Sequence, residues 1–260
     1  MYYDTLDTSR LGGYSFPMAL VVIPARWAST RLAAKPLADI EGRPMVEHVW
    51  SRARTASGVT GVVVATDHDK IVAAVKNFGG DVLFTGECKT GTDRVAMVAR
   101  EMPDAEIIVN LQGDEPLIPP EMIEEVIAPF KTDPNVKMAS LKRAFRPGED
   151  PSDPDIVKVV TDLNEDAIYF SRSRIPFPRN EGNYGPYVHV GLYAFRRETL
   201  LEFTMMDQTP LEKAESLEQL RALENGIKIR VPTTGHFSVG VDTAEDLETV
   251  RKIIKNGKKQ

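Results

Sequence analysis

The stretch Ile107–Ile118, reading IIVNLQGDEPLI, limits the choice of fold more than any other part of the chain. Ile107, Ile108, Val109 and Leu111 form a short apolar run, the pattern of a strand covered on both faces. Gly113 breaks the run, Asp114 and Glu115 follow, and Pro116 stops any continuation as a central strand. Comparable runs lie at Ala19–Ile23, Gly61–Thr66 and Asp81–Thr85. Helical stripes fill the gaps between them. Pro44 opens one that turns Met45, Val46, Val49, Trp50 and Ala53 inward. Asp67–Phe78 carries Ile71, Val72, Val75 and Phe78 on one face and ends at Gly79-Gly80. Asp93–Met102 reads as a third helix. Strand and helix in alternation predict an α/β fold, a doubly wound and mainly parallel sheet with helices on both faces.

The second half is less regular. Glu121–Phe130 reads as a helix, and Val136–Leu141, Val157–Thr161, Ala167–Phe170 and Val190–Phe195 as strands. Residues 146–155 and 176–187 are loops rich in proline, glycine and polar residues. Leu211–Glu224 reads as one helix with Leu217, Leu220 and Leu223 along a side, and Ile227–Val231 as a strand. Thr243–Ile254 is the last helix, with Thr243 and Asp246 spaced as a near capping box. This part predicts a smaller mixed α+β insert around 130–200. Residues 18–260 are expected to be a single domain behind a loose tail over 1–17, with Met18 a candidate true start.

The chain carries 32 bases and 38 acids, a net charge of −6. That argues against a broad nucleic-acid surface and leaves room for a local basic pocket. Cys88 is the single cysteine, so no internal disulfide forms, and it reads as a small half-buried thiol. No apolar run reaches membrane-spanning length. Residues 1–17 hold Asp4 and Asp7 and no hydrophobic core, unlike a secretory signal. A soluble cytoplasmic protein is expected.

Two places hold candidate chemistry. In Pro24–Leu37, PARWASTRLAAKPL, a loop after a buried strand gathers Arg26, Arg31 and Lys35 with two hydroxyls. Three cations at the carboxyl edge of a sheet suit a triphosphate. The same composition also describes a solvated basic loop. The loop is neither a Walker A sequence nor a GxGxxG fingerprint, which weakens hydrolase and dehydrogenase readings. The second place is the strand end at Asp114, where a carboxylate can hold a divalent metal against a phosphate. An acid there equally caps a turn. Asp242, before Thr243, equally stabilises the first turn of a helix. His48, His68 and His236 read as structural.

The pattern Pro-Ala-Arg…Ser-Thr-Arg-Leu…Lys-Pro-Leu resembles the phosphate loop of sugar nucleotidyltransferases. It is followed in order by ATD at Ala65–Asp67, GTDR at Gly91–Arg94, QGDEP at Gln112–Pro116 and YFSRSRIP at Tyr169–Pro176. HVGLYAFR at His189–Arg196, LEQLRALE at Leu217–Glu224 and GVDTAED at Gly240–Asp246 complete the set. The ordered set, from about Leu20 to Val250, is similar to the 3-deoxy-D-manno-octulosonate (Kdo) cytidylyltransferases, the CMP-Kdo synthetase family. The later segments separate it from sialic acid and phosphosugar relatives.

The resemblance implies a reaction: the anomeric hydroxyl of Kdo attacks the α-phosphate of CTP, giving CMP-Kdo and pyrophosphate, with Mg²⁺ as cofactor. It implies that Arg26 and Lys35 hold the triphosphate with Arg31 nearby, and that Pro24, Ala25, Thr90 and Gly91 line the nucleotide. It makes Asp114 and Asp242 the metal carboxylates, so Arg26, Lys35, Asp114 and Asp242 form the catalytic set. It places Arg94, Gln112, Arg172, His189, Tyr193, Glu218 and Gln219 at the sugar acid. Read alone, Arg94 and Arg172 also suit surface ion pairs, and Glu218 and Gln219 a solvated face beside the leucines. His189 and Tyr193, four apart in a strand, face one side in either case. A homodimer joined through the 130–200 region and a role in lipopolysaccharide synthesis are implied too, with no nucleic acid partner and no membrane insertion.

The chain departs from the family in places. The usual Leu-Pro-Gly-Lys-Pro is Leu-Ala-Ala-Lys-Pro here, Leu32–Pro36, so Ala34 stands where glycine can take a positive φ. Trp27 stands where tyrosine is common, and the tail is extra. Two other readings follow: the same chemistry on another sugar acid (8-amino-Kdo or a nonulosonate), and a non-catalytic nucleotide-binding protein.

Overall fold

Valine and isoleucine runs too short for helices form strands, and the computed structural model, which describes residues 19–28, 32, 34–180 and 185–257, shows them paired. The sequence-predicted tail 1–17 lies outside the described residues, as do Ser29, Thr30, Arg31 and Ala33. The chain forms two compact units, Met1–Glu124 with Phe237–Gln260, and Glu125–His236.

In the first unit β1 (Ala19–Ala25) leads to a 3₁₀ turn over Lys35–Leu37 and a small hairpin of β2 (Asp39–Ile40) and β3 (Arg43–Pro44). Then come α1 (Met45–Ala53), β4 (Val59–Thr66), α2 (Asp69–Asn77), β5 (Asp81–Phe84), α3 (Gly91–Glu101) and β6 (Ile107–Asn110). The strands lie in the order β6-β1-β4-β5, and every pairing is parallel. Val21 sits between Val62 and Val109. All four residues of β6 and six of the seven in β1 are buried, as a parallel sheet covered on both faces requires. Pro44 precedes α1 as its N-cap, and the expected stripe Met45, Val46, Val49, Trp50, Ala53 is buried. His48 is buried beside them with Nε2 2.9 Å from the Ile40 carbonyl, a structural histidine as expected.

The unit boundary falls within α4 (Pro120–Thr132). The second unit contains β7 (Met138–Ala144), β8 (Lys158–Thr161), β9 (Ala167–Ser171), β10 (Tyr187–Arg196), α5 (Arg197–Phe203), α6 (Pro210–Glu215), α7 (Gln219–Glu224) and β11 (Ile229–Arg230). Here β10 runs antiparallel to β7 and β8, β8 antiparallel to β9, and β11 parallel to β7. A mainly parallel α/β unit and a mixed α+β unit are thus both present. The closing helix, α8 (Ala244–Gly257), belongs to the first unit. Thr243 and Asp246 bond each other's backbone N–H at its start, as their spacing predicts. Its Leu247 and Val250 join Ile40, Met45 and Val241 in one apolar cluster. Among the described residues no helix is long and apolar enough to cross a membrane.

One expectation is corrected. Leu211–Glu224 is two helices, not one. The first begins where Glu212 Oε2 accepts the Thr209 N–H at 3.3 Å. It ends at Ser216, whose φ of 53° is left-handed, and the Leu217 N–H bonds back to the Glu212 carbonyl, a Schellman-type ending. The break buries Leu217, Leu220 and Gln219 together and lets Arg221 pair with Glu212 at 2.5 and 2.8 Å, both side chains buried. The β2–β3 hairpin and α5 were not predicted. The hairpin strands are two residues each and turn on Glu41 and Gly42, both at positive φ, a glutamate giving no sequence cue.

The loop over 146–155 is fixed by charge. Glu149 takes two hydrogen bonds from Arg143, at 2.6 and 2.8 Å, and three from Arg146. The hydrogen bonds from Arg143, above all, hold its carboxyl down at about 2 from an ordinary 4.5. The carboxylate therefore stabilises the fold fully above pH 4.5, and that contribution disappears as pH falls towards 2. Glu149→Gln should lower stability at pH 7 by about 1–2 kcal/mol, and parent and variant should converge in denaturant titrations between pH 4.5 and 2.

Ala34 sits at φ 50°, ψ 34°, the left-handed conformation its departure from glycine made a concern. A Cβ there costs on the order of 1 kcal/mol. Ala34→Gly should raise the urea midpoint by the equivalent of about 1 kcal/mol with an unchanged slope, because it relieves native strain without altering the surface exposed on unfolding.

Candidate active site

Two strand ends and a helix start of the first unit supply the walls of a cleft of about 260 Å³. Pro24 and Ala25 end β1, and Arg26 follows, exposed. The N-terminus of α3 contributes Thr90 and Gly91, and the segment after β6 contributes Gln112, Gly113 and Asp114. Lys35 and Asp242 complete it. Gly113 has a physical reason to be glycine, since a Cβ there would lie 2.9 Å from the Pro24 carbonyl oxygen. The absence of a side chain lets the β6 exit lie against the β1 exit and carries Asp114 into the cleft.

Asp114 and Asp242, far apart in sequence, meet at one cation. The Lys35 ammonium donates to Asp114 Oδ2 at 2.6 Å and to Asp242 Oδ1 at 3.0 Å. The Lys35 side chain is 13% exposed, while Asp114 and Asp242 are 35% and 54% exposed. Two carboxylates that close to one positive centre, with open solvent on one side, are the donor set a hard divalent ion takes when phosphate oxygens and water supply the rest. The arrangement therefore fits a magnesium ion. Glu115 lies just behind. Burial above all, joined by the charges of Asp114 and Asp242 and opposed by a hydrogen bond from Ser238 and the Lys35 charge, raises its carboxyl to about 7.

The α3 end of the cleft is built by capping. Thr90 Oγ1 accepts the Asp93 N–H at 3.0 Å, and Asp93 Oδ2 accepts the Thr90 N–H at 3.1 Å. The helix thus presents its positive end to the cleft. Arg94, one turn on, lines the cleft but is only 3% exposed. Its guanidinium donates to Asp67 at 2.8 Å, to Thr85 Oγ1 at 2.5 Å and to the Gly86 carbonyl at 3.0 Å. Asp67 also accepts the Trp27 backbone N–H at 2.9 Å. Arg94 therefore fastens the exits of β4 and β5 to the loop that follows β1. Trp27 lies flat on His68, the ring centroids 3.8 Å apart. His68 Nδ1 accepts the Lys70 N–H at the start of α2, a structural role. Gln112 donates to Asn110 Oδ1 at 3.1 Å.

Sequence reasoning placed Pro24, Ala25, Arg26, Lys35, Thr90, Gly91, Arg94, Gln112, Asp114 and Asp242 in this region, and all line the cleft. Arg31 lies outside the described residues. It missed Lys89 and Cys88, which also line it. Their position just before Thr90-Gly91 was the available signal. It also quoted Asp67 in a motif without a role, since nothing in the chain order shows that Arg94 and Trp27 converge on it.

The remaining predicted residues lie in the second unit. His189 Nε2 is 2.8 Å from Ser140 Oγ, and its ring is 5.4 Å from that of Tyr193, so the pair does share a side. Burial pushes the His189 imidazole down to about 3 and the Tyr193 phenol up, the Glu218 charge adding to the latter. Gln219 is 4% exposed, and its Nε2 has no hydrogen-bond partner among the described residues. Arg172 donates through Nε to the Glu215 carbonyl at 2.8 Å and through Nη1 to the Pro154 carbonyl at 2.9 Å. It ties backbone segments together rather than standing as an open fork.

Comparison with known proteins gives the same direction. A family model described as cytidylyltransferase matches residues 20–229. A Geobacter sulfurreducens protein named 3-deoxy-manno-octulosonate cytidylyltransferase is 54% identical over 246 residues, covering 90% of this chain and 98% of its own. A Fusobacterium nucleatum protein of the same name is 49% identical over 237 residues, covering 91% and 96%. A solved structure of CMP:2-keto-3-deoxy-manno-octonic acid synthetase complexed with CTP superposes with a TM-score of 0.88 at 42% identity, covering 92% of this chain and 99% of that one. A cytidylyltransferase from Leptospira borgpetersenii, at 17% identity and a TM-score of 0.61, shares the fold. With a family model spanning most of its length and relatives about half identical across nine-tenths of it, the chain belongs to the cytidylyltransferase family.

Proposed function

We propose that this protein transfers CMP from CTP to the anomeric hydroxyl of 3-deoxy-D-manno-octulosonate, releasing pyrophosphate. The observation that carries the chemistry is the convergence of Asp114 and Asp242 on a single positive centre beside the cleft. The sugar acid is taken from the relatives' name and from the motifs shared with that family.

Arg26 and Lys35 are assigned to the triphosphate, with Arg31 from the same loop, and the positive end of α3 at Thr90 and Gly91 adds partial charge where the nucleotide sits. Phosphoryl substitution is catalysed mainly by positioning and charge neutralisation, which these groups supply. Asp114 and Asp242 would hold Mg²⁺, which when bound neutralises phosphate charge and polarises the attacking hydroxyl. Arg94 acts here by positioning the β1 loop through Asp67. For the sugar acid we assign Arg94, Gln112, Arg172, His189, Tyr193, Glu218 and Gln219. The buried Gln219 amide without a partner supports a polar ligand, because buried donors are otherwise satisfied. Neutral His189 and Tyr193 can exchange hydrogen bonds with hydroxyls. We further propose a cytoplasmic homodimer joined through residues 130–200. The exposed Leu163, Ile168 and Phe177 in that region support it.

Pyrophosphate release from CTP and Mg²⁺, with Kdo, 8-amino-Kdo and sialic acid offered separately, tests the reaction. Release with Kdo is expected. Release only with another acid would move the substrate, and none from folded, CTP-binding protein would overturn the proposal. Lys35→Ala should lower turnover about a hundredfold or more while the melting temperature changes little. Parallel losses of activity and stability would remove its phosphate role. Asp114→Asn should abolish turnover with CTP still bound in a calorimetric titration, and unchanged turnover would defeat the metal assignment.

A further inference from the structure

Asp242 stands on irregular backbone, so no strand ladder holds it beside Asp114. What holds it is local and specific. The Val241 N–H donates to the Asp114 carbonyl at 2.9 Å. Three residues before that, Ser238 Oγ donates to Glu115 Oε2 in a short hydrogen bond. Between the two, Gly240 lies flat against the Glu115 carboxylate, where a Cβ would be 3.1 Å from Oε1. Val239 and Val241 pack into the apolar cluster of Ile40, Met45, Leu247 and Val250. The 238–242 segment is therefore clasped onto Asp114-Glu115 at three successive points, and two of the three are made by the Glu115 side chain. That side chain is directed at Ser238 and Gly240 and takes no part in the bonds from Lys35.

We propose that Glu115 and Ser238 are positioning residues, a side-chain clasp that sets the separation of Asp114 and Asp242 and so the affinity of the pair for a divalent cation. The inference rests on the reading of those two aspartates as metal carboxylates. It gives Glu115 a structural task through its hydrogen bond, in contrast to a third acid bound to the ion.

The two roles predict opposite variant patterns. Binding of Mn²⁺, followed by the loss of its free-ion paramagnetic resonance signal, is measured on the full chain with CTP present and no sugar, so no turnover is involved. Loss of the clasp in Ser238→Ala should weaken Mn²⁺ binding about tenfold and raise the Mg²⁺ needed for half-maximal turnover by a similar factor, a larger change than that in kcat. Ser238→Thr, which keeps the hydroxyl, should restore the parental affinity. Glu115→Gln, whose amide oxygen still accepts from Ser238, should stay within about threefold of the parent. CTP binding without metal should be equal in all of them. Parental Mn²⁺ affinity in folded Ser238→Ala would overturn the clasp, as would a Glu115→Gln loss larger than that of Ser238→Ala, which would make Glu115 a ligand. Asp242→Asn is the control for the underlying reading: if it binds Mn²⁺ like the parent while Ser238→Ala does not, the metal carboxylate assignment fails and the clasp fails with it.

Discussion

Two carboxylates aimed at one point repel unless a cation lies between them. A unit charge pair 4 Å apart is worth about 1 kcal/mol in water and about 4 kcal/mol in a partly buried setting. Asp114 and Asp242 are partly exposed, so solvent screens part of their repulsion, and Glu115 adds a third acid whose carboxyl is raised chiefly by burial. Lys35 answers this with one ammonium bonded to both aspartates. Much of the first unit follows from the need to assemble that point. Gly113 permits the close approach of two strand exits, the Val241–Leu247–Val250 cluster docks α8, and the Thr243–Asp246 box starts the helix just past Asp242.

A buried ion pair is weak evidence for stability, because desolvation offsets much of the attraction. Arg94 and Asp67 are better understood by what they join. Arg94 satisfies Thr85, Gly86 and Asp67 together, and Asp67 holds the Trp27 backbone. Asp67 lies just past β4, Thr85 and Gly86 just past β5, and Trp27 just past β1. Removing either member would leave a charge without compensation and also loosen the loop that carries Arg26. The same logic recurs in the second unit, where Glu212 and Arg221 pair across the break at Ser216 and set the orientation of α7, and with it Glu218 and Gln219.

The parts of this architecture governed by short-range pattern were legible. Apolar runs gave every strand of the parallel sheet within two residues at either end, and the Thr243 and Asp246 spacing gave the start of α8. The glycine missing before Lys35 correctly marked a left-handed residue. What could not be read depended on three-dimensional partners. A leucine stripe over 211–224 looks continuous, because nothing local announces a left-handed serine between the buried Glu212 and Leu217. Nothing in the sequence shows that the arginines of GTDR and SRSRIP, Arg94 and Arg172, also bond within their own units, to backbone carbonyls and, for Arg94, to the half-buried Asp67. An arginine's fate is decided by which carbonyls the fold brings near, and sequence spacing carries no record of them.

The division of labour between backbone and side chains explains where the chain can tolerate change. The cleft-lining residues Pro24, Ala25, Thr90 and Gly91 sit on a strand end and at a capped helix start, where ladder and capping hydrogen bonds fix direction. Asp242 stands on no strand ladder; the Val241 N–H on the Asp114 carbonyl, the Asp246 carboxylate on the Asp242 N–H, the Ser238–Glu115 hydrogen bond and apolar packing around Val241 set its place. Side-chain contacts of that kind are individually modest, about 1 kcal/mol each, and a lost one shifts a carboxylate by tenths of an ångström without unfolding the domain. On the proposed reading, such a site loses cation affinity before it loses its fold. Charge placement around Asp114, more than sheet stability, therefore limits what the protein does.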